Sequence, residues 1–165
     1  MTMPKMPIPV SQVALVVNDM EKSMREYSET MGWGPWTIYE YKTPRLHDTI
    51  VRGAVPDAFT WIGAETPVGS TYVELLQPLE GPSIFREFID QHGEGLHHIG
   101  YWAKTMEEAE EIKRTFAARS VPVLMSAWIR FSLSLSSHLA TMMVTKGYMP
   151  VRGKTMEASP PTRKV

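Results

Sequence analysis

Gln12, Glu74 and His98 are polar residues set into three otherwise apolar runs, Gln12-Val-Ala-Leu-Val16, Tyr72-Val-Glu-Leu-Leu76 and Leu96-His-His-Ile-Gly100. Strand side chains alternate between faces. Gln12 therefore shares a face with Ala14 and Val16, Glu74 with Tyr72 and Leu76, and His98 with Gly100 and Trp102. A carboxylate isolated among apolar neighbours is strongly disfavoured, so Glu74 needs a cation, a hydrogen-bond donor or a metal ion. If the sheet curves so that these faces converge, two oxygens and one imidazole nitrogen meet. That donor set suits a divalent ion of intermediate hardness, such as Zn, Ni, Co, Mn or Mg. The sequence holds no cysteine, which removes thiol catalysis, disulfides and Cys-ligated zinc together. The same pleat argument puts Trp102, Tyr72 and Trp61 along the wall of such a cup as substrate-binding residues. His97 is expected to point the other way and to be structural. His47 and Asp48 read as solvated surface, His92 as a helix C-terminal residue, and His138 as the one imidazole near the end of the chain.

The elements that must position these residues follow from hydrophobic period and capping signals. Val13 to Val17 reads as a strand, Asn18-Asp19 as the cap of a helix, and Met20, Met24, Tyr27 and Met31 as its apolar stripe. Trp36 to Tyr41, Phe59 to Ala64 and Tyr72 to Gln77 are further strands, with 43–57 irregular or weakly paired and Thr66 to Ser70 a turn. Ser83 to Gln91 is a short helix and Leu96 to Trp102 a strand. Thr105 and Glu108 form a capping box ahead of a helix with Met106, Ala109, Ile112 and Phe116 as its stripe. Val121 to Met125 is the strand after it.

Sliding the chain by 86 residues lays Gln12 on His98, Val13 on Ile99, Met20 on Met106 and Glu21 on Glu107, with strand, cap and helix in step. Such a repeat implies two modules related by a pseudo-twofold axis, each too small to bury its own sheet face. The 165 residues suffice for one domain of that kind. Lys and Arg number 17 against 18 Asp and Glu, so no overall basic field exists to hold nucleic acid. The balance is uneven: residues 142–165 hold five basic groups and one acidic. No apolar run reaches membrane-spanning length, and the chain is expected to be soluble and cytoplasmic.

Taken together, Gln12-Val-Ala-Leu-Val-Val-Asn-Asp-Met-Glu-Lys22, Tyr72-Val-Glu-Leu-Leu-Gln-Pro-Leu-Glu80 and Gly93-Glu-Gly-Leu-His-His-Ile-Gly100 resemble the vicinal oxygen chelate superfamily. That superfamily includes glyoxalase I, methylmalonyl-CoA epimerase, extradiol dioxygenases and bleomycin-resistance proteins. The resemblance implies an α+β fold in which two βαβββ modules, about 8–78 and 79–145, form a cupped mixed sheet. It also implies a divalent metal held by two residues from each module. Glu74 and His98 fall on the second and third ligand positions, and Gln12 on the first, where the family usually has histidine. The fourth should be a carboxylate on the last strand, but 130–144 contains no acid.

After Trp128 the resemblance stops, leaving a glyoxalase-like domain over 8–128 and a basic tail over 146–165 expected to be disordered. The segment from about 129 onward reads either as an altered reading of the gene, such as a retained intron or frameshift, or as a divergent hairpin from 130–135 to 139–145.

The leading expectation for function is a glyoxalase-type lyase or isomerase acting on a small carbonyl compound or biosynthetic intermediate. Metal-stabilised enolate chemistry would carry it, with Glu74 and His98 as catalytic groups. Two alternatives stand beside it: a metal-free protein that sequesters a small molecule, and a non-metal isomerase or cyclase using Glu74 and His98 as an acid/base pair. The partner is a small-molecule substrate, without nucleic acid or membrane, and a homodimer is an open possibility.

Overall fold

A computed structural model describes residues 9–42, 46–103, 105–129, 140–141 and 144–145. The strands are β1 (Gln12–Val16), β2 (Thr37–Tyr41), β3 (Leu46–Val51), β4 (Trp61–Val68), β5 (Thr71–Pro78), β6 (Gly95–Gly100), β7 (Val123–Ile129), β8 (Ala140–Thr141) and β9 (Val144–Thr145). The helices are α1 (Met20–Met31), α2 (Ile84–His92) and α3 (Met106–Ala117).

Local chemistry sets the helix ends. Asp19 accepts a hydrogen bond from the Lys22 backbone N–H at 2.9 Å and starts α1, while Gly32, at φ 68°, closes it by donating to the Ser28 carbonyl. Ser83 caps α2 through the Arg86 N–H at 3.1 Å. Thr105 caps α3 through the Glu108 N–H at 3.2 Å. The Glu108 carboxylate accepts from the Tyr101 hydroxyl.

The main sheet has the order β2-β4-β5-β1-β6. β1 is parallel to β5 and antiparallel to β6. The first half is thus a βαβββ unit with one insertion, because β3 leaves this sheet and pairs with β7 in a second one. This sharpens the expectation that 43–57 is irregular or weakly paired: a strand of six residues is paired there. The hairpin between β4 and β5 is also tighter than expected. β4 runs on to Val68, opposite Thr71, which leaves Gly69 and Ser70 as the turn.

The internal repeat appears as symmetry in the register. Val13 faces Ile99, Gln12 faces Gly100 and Ala14 faces His98. The 86-residue shift carries Gln12 onto His98 and Ala14 onto Gly100, so these two pairs exchange about a pseudo-twofold axis through Val13 and Ile99.

Each face of the main sheet has its own cover. Leu15 and Val17 of the first strand region join Leu75 and Ala64 against Met20, Met24 and Tyr27 of α1. On the opposite face Ala14, Val16, Trp61 and Leu76 pack with Ile84 and Phe85 of α2 and with Met125 and Ala127 of β7. Trp61 is fully buried there, stacked between Tyr41 at 4.9 Å and Phe59 at 5.4 Å, and tilted against Phe85.

The second half is less enclosed. No residue of α3 is buried, so its apolar stripe lacks the cover expected of it, and Leu96, Ile99 and Met106 are exposed. β8 and β9 pair with β7. The expected hairpin partner, 130–135, lies outside the described residues, as do 146–165. Among the described residues no helix is long and apolar enough to cross a membrane.

Filling the space behind the concave face is the structural task of Trp61. Trp61→Ala should destabilise the protein by about 3–5 kcal/mol, whereas Tyr72→Ala, at an exposed position, should change stability by about 0.5 kcal/mol. Urea denaturation followed by circular dichroism measures both, and equal midpoints for the two variants would contradict the core placement of Trp61.

Candidate functional site

Strand β1 supplies the axis of the site because it is bonded on both sides. Across β4, β5, β1 and β6, Glu65, Glu74, Ala14 and His98 form one transverse row, since each is the register partner of the next. Directly paired residues project to the same face of a sheet, so all four face the concave side. The neighbouring row holds Tyr72, Gln12 and Gly100. Gln12, Glu74 and His98, singled out from sequence, thus stand on one face in adjacent rows.

Small residues make the room. Ala14, between Glu74 and His98, is fully buried. A Cβ on Gly100 would lie 2.8 Å from Gln12 Oε1, so a side chain there would displace the amide. A Cβ on Gly63 would meet the Tyr41 ring at 3.0 Å and Glu74 Oε1 at 3.3 Å. The Glu74 carboxyl consequently lies against bare backbone.

Glu65 was not among the residues expected from sequence. Its Oε1 accepts a 2.7 Å hydrogen bond from Gln12 Nε2, and the two side chains bridge the intervening β5. A signal for it existed: a Gly69-Ser70 turn fixes the hairpin register and sets Glu65 opposite Glu74.

His97 also differs from expectation. Ala14 pairs with His98 and Leu15 with Leu96, so His97 is the extra residue of a β-bulge. The bulge breaks strict alternation and brings both imidazoles to one side, with Nδ1 of His97 2.8 Å from Nδ1 of His98. Phe85 and Phe88 of α2 meet the His97 ring at 5.1 Å each.

The three expected substrate-binding residues separate by depth. Tyr72 and Trp102 are 44% and 49% exposed, and the Trp102 backbone N–H donates to Ser11 Oγ at 3.4 Å. Trp61 shares the face but lies wholly inside. Asp48 adopts φ 51° and is exposed, and the backbone of His47 pairs with Trp128 in the second sheet. His92 ends α2 with its ring on Phe88. His138 lies outside the described residues.

Burial decides the charge of this row. The Glu74 carboxyl is pushed well above the usual carboxylate range, first by desolvation and then by the neighbouring Glu65. Its Oε2 is buried without a hydrogen-bond partner among the described residues. Glu65 is also raised by burial, offset in part by the bond from Gln12. Desolvation lowers His98 to about 3, with His97 adding to the effect, and lowers His97 to about 4 against a favourable hydrogen bond with the Ile84 backbone. Burial therefore favours the neutral form of Glu74 and of both imidazoles.

Residues 11–130 match the Glyoxalase/Bleomycin resistance protein/Dioxygenase superfamily. The chain belongs to that superfamily. No curated protein matches it by sequence. Among solved structures it is similar to a mutant of 4-hydroxymandelate synthase from Streptomyces coelicolor, at 10% identity and TM-score 0.52, covering 84% of this chain and 41% of that one. It is also similar to methylmalonyl-CoA epimerase from Mycobacterium tuberculosis, at 14% identity and TM-score 0.46 over 73% of this chain and 77% of that one. A hypothetical protein from Bacillus halodurans C-125 aligns at 20% identity and TM-score 0.46, over 74% of this chain and 83% of that one.

Superfamily members commonly use a divalent metal. Of the three expected ligands, Gln12 is committed to Glu65, with Oε1 against Gly100, while Glu74 Oε2 has no hydrogen-bond partner among the described residues. Among the described residues no three His, Cys, Asp or Glu side chains gather to hold an ion.

The buried groups make stability depend on pH with opposite signs. Between 4.5 and its raised native value, Glu74 binds a proton in the folded state that the unfolded chain has released, so stability falls as pH rises through that window. The histidines act the other way. Unfolded, they titrate near 6.5, and folded near 4 and 3, so their contribution is present above 6.5 and lost as pH falls toward 3. Glu74→Gln should therefore remove a contribution that declines as pH rises above 4.5 and leave the loss of stability toward pH 3 in place. A difference in melting temperature between wild type and variant that does not change with pH above 4.5 would show that Glu74 carries no raised pKa.

Proposed function

We propose that this protein is a lyase or isomerase that moves a proton on a small carbonyl compound, with Glu74 as the donor to the carbonyl oxygen and His98 as the base. The observation that supports this reading is the Glu74 oxygen, buried and without a partner. A carboxylic acid held neutral by an apolar site is a strong hydrogen-bond donor to an oxygen that is gaining negative charge. Water does not compete with it there, so the bond strengthens as charge develops.

The chemistry then balances without a further reactant. His98 takes the proton from the carbon next to the carbonyl, Glu74 gives its proton to the carbonyl oxygen, and an enol is formed. Return of a proton to carbon, at the same or a neighbouring atom, completes an isomerisation; loss of a β-substituent completes a lyase reaction. Tyr72 and Trp102 offer aromatic surface to the rest of the substrate. Glu65 and Gln12 hold each other and keep the acidic end of the row ordered.

The same orphan oxygen supports a second reading, since a cation satisfies it as well as a proton does. In that arrangement Gln12, Glu74 and His98 would hold the divalent ion, and Gln12 would first have to release Glu65. An ion there would stabilise an enolate in place of the carboxyl proton. Sequestration of a small molecule without turnover fits the exposed aromatic rings but leaves the buried Glu74 without a role.

A panel of α-hydroxycarbonyl compounds, hemithioacetals and acyl thioesters tests the reading. Glu74→Leu should lower the rate by about 10²–10³, and Glu74→Gln, which keeps a donor, by less. Activity should persist from above the His98 value near 3 up to the raised Glu74 value and fall beyond it, because the acid must be protonated and the base neutral. Full activity of Glu74→Leu would overturn the proposal. Metal analysis of protein purified without chelator separates the two readings: one equivalent of ion in the wild type, lost in Glu74→Ala, is the result that selects the ion.

A further inference from the structure

Nine glycines lie among the described residues, and seven of them have a positive φ that favours glycine whatever surrounds them. The other two are Gly63 and Gly100. Their backbones are open to any residue, so glycine at these positions is a matter of space. Both stand inside strands, where glycine contributes no packing and often marks the close approach of another group. In each case a side chain of the site makes that approach: Gln12 against Gly100 and Glu74 against Gly63.

Gly63 is buried on β4 between Trp61 and Glu65 and faces the concave side with them. A Cβ there would stand 3.0 Å from Tyr41 Cε2, 3.3 Å from Glu74 Oε1 and 3.6 Å from Leu76 Cδ2. The first two distances are tighter than ordinary van der Waals contact, so a neighbour would have to give way. Tyr41 is poorly placed to do so. Its ring is buried and stacked on Trp61 at 4.9 Å with 13° between the planes, and Trp61 is stacked in turn on Phe59 at 5.4 Å. Moving that ring means moving the stack. Glu74 Oε1, by contrast, is the far end of a side chain with three torsions, and the other oxygen of the same carboxyl has no hydrogen-bond partner among the described residues. The carboxyl therefore yields first.

We propose that Gly63 is a positioning residue: the space left by its missing side chain is the seat of the Glu74 carboxyl and fixes where the row presents that group. Shape does for Glu74 what a hydrogen bond does for Gln12 and Glu65. The seat follows from packing alone, whereas its effect on rate rests on the proposed reaction.

A crystal structure of Gly63→Ala tests the seat. Glu74 should be found in a different rotamer. Glu74 left where it is, whether or not Tyr41 has moved, overturns the inference. Should Gly63→Ala not fold, Gly63→Ala/Glu74→Ala decides by circular dichroism. Recovery of the fold in the double variant upholds the seat, and a double variant that stays unfolded places the obstruction at the Tyr41 ring and overturns it.

On the carbonyl panel Gly63→Ala should lower kcat about 10-fold with KM within about twofold, because the acid is misplaced while the exposed aromatic rings are untouched. In the Glu74→Ala background, which has no carboxyl to seat, the same substitution should change kcat by less than about twofold. An equal loss in both backgrounds overturns the positioning role, since Gly63 would then act by another route. A displaced Glu74 with unchanged kcat upholds the seat and overturns instead the assignment of Glu74 as the donor.

Discussion

Strand β1 is bonded along both edges, to β5 in parallel and to β6 antiparallel, and that double pairing is the constraint on which the site depends. Each of its concave-facing residues becomes the midpoint of a row. Ala14 is small and fully buried, and the side chains of Glu74 and His98 stand on either side of it. Gln12 occupies the next row, and Gly100 opposite leaves space for its amide. A one-residue slip of β6 against β1 would send His98 to the α1 side and separate the imidazole from the carboxyl. The contacts of the His97 ring with Phe85 and Phe88 of α2 tie β6 to that face and resist the slip.

From the pairing follows the electrostatics. Four transverse positions on one concave face, backed by Trp61 and Phe85, exclude water from Glu74 and limit its access to His98. A carboxyl and an imidazole in water would form an ion pair at neutral pH, the carboxyl negative and the imidazole sharing its proton. Here desolvation penalises both charged forms, and the neutral pair is the favoured state. Glu65 reinforces it. Its own charge is supported by the Gln12 amide, and a second negative group beside it is disfavoured. Burial thus favours the neutral form of both groups, which stand on either side of Ala14.

Much of this was legible from residue types and spacing. The strand, cap and helix of the first unit, the face shared by Gln12, Glu74 and His98, and the 86-residue repeat all rest on local periodicity, and local periodicity survives folding. What was not legible depends on departures from it. His97 was assigned to the wrong face because a bulge adds one residue to β6, and nothing in Leu96-His-His-Ile announces a bulge. Trp61 reads as a pocket wall on alternation alone, yet depth along a face is set by what covers it, here α2 and β7 from distant parts of the chain. The strand at Leu46–Val51 was missed because its partner, β7, lies far along the chain, in the other half. Glu65 required the hairpin register, which the Gly69-Ser70 turn does encode.

The two halves of the repeat have diverged in what they bury. In the first, α1 covers Leu15, Val17 and Leu75, and its strands hold the carboxyls. In the second, the symmetry-related face of β6 leaves Leu96 and Ile99 exposed, and α3 buries none of its residues. The pseudo-twofold nevertheless holds to the residue at the junction, where Gln12 and His98 occupy equivalent places. Pairing geometry is preserved where β1 and β6 meet because both strands need each other's hydrogen bonds; packing is free to differ away from it. Equivalent positions thus hold unlike groups: an amide bonded to the Glu65 carboxyl in one half, and an imidazole in contact with its own neighbour, His97, in the other.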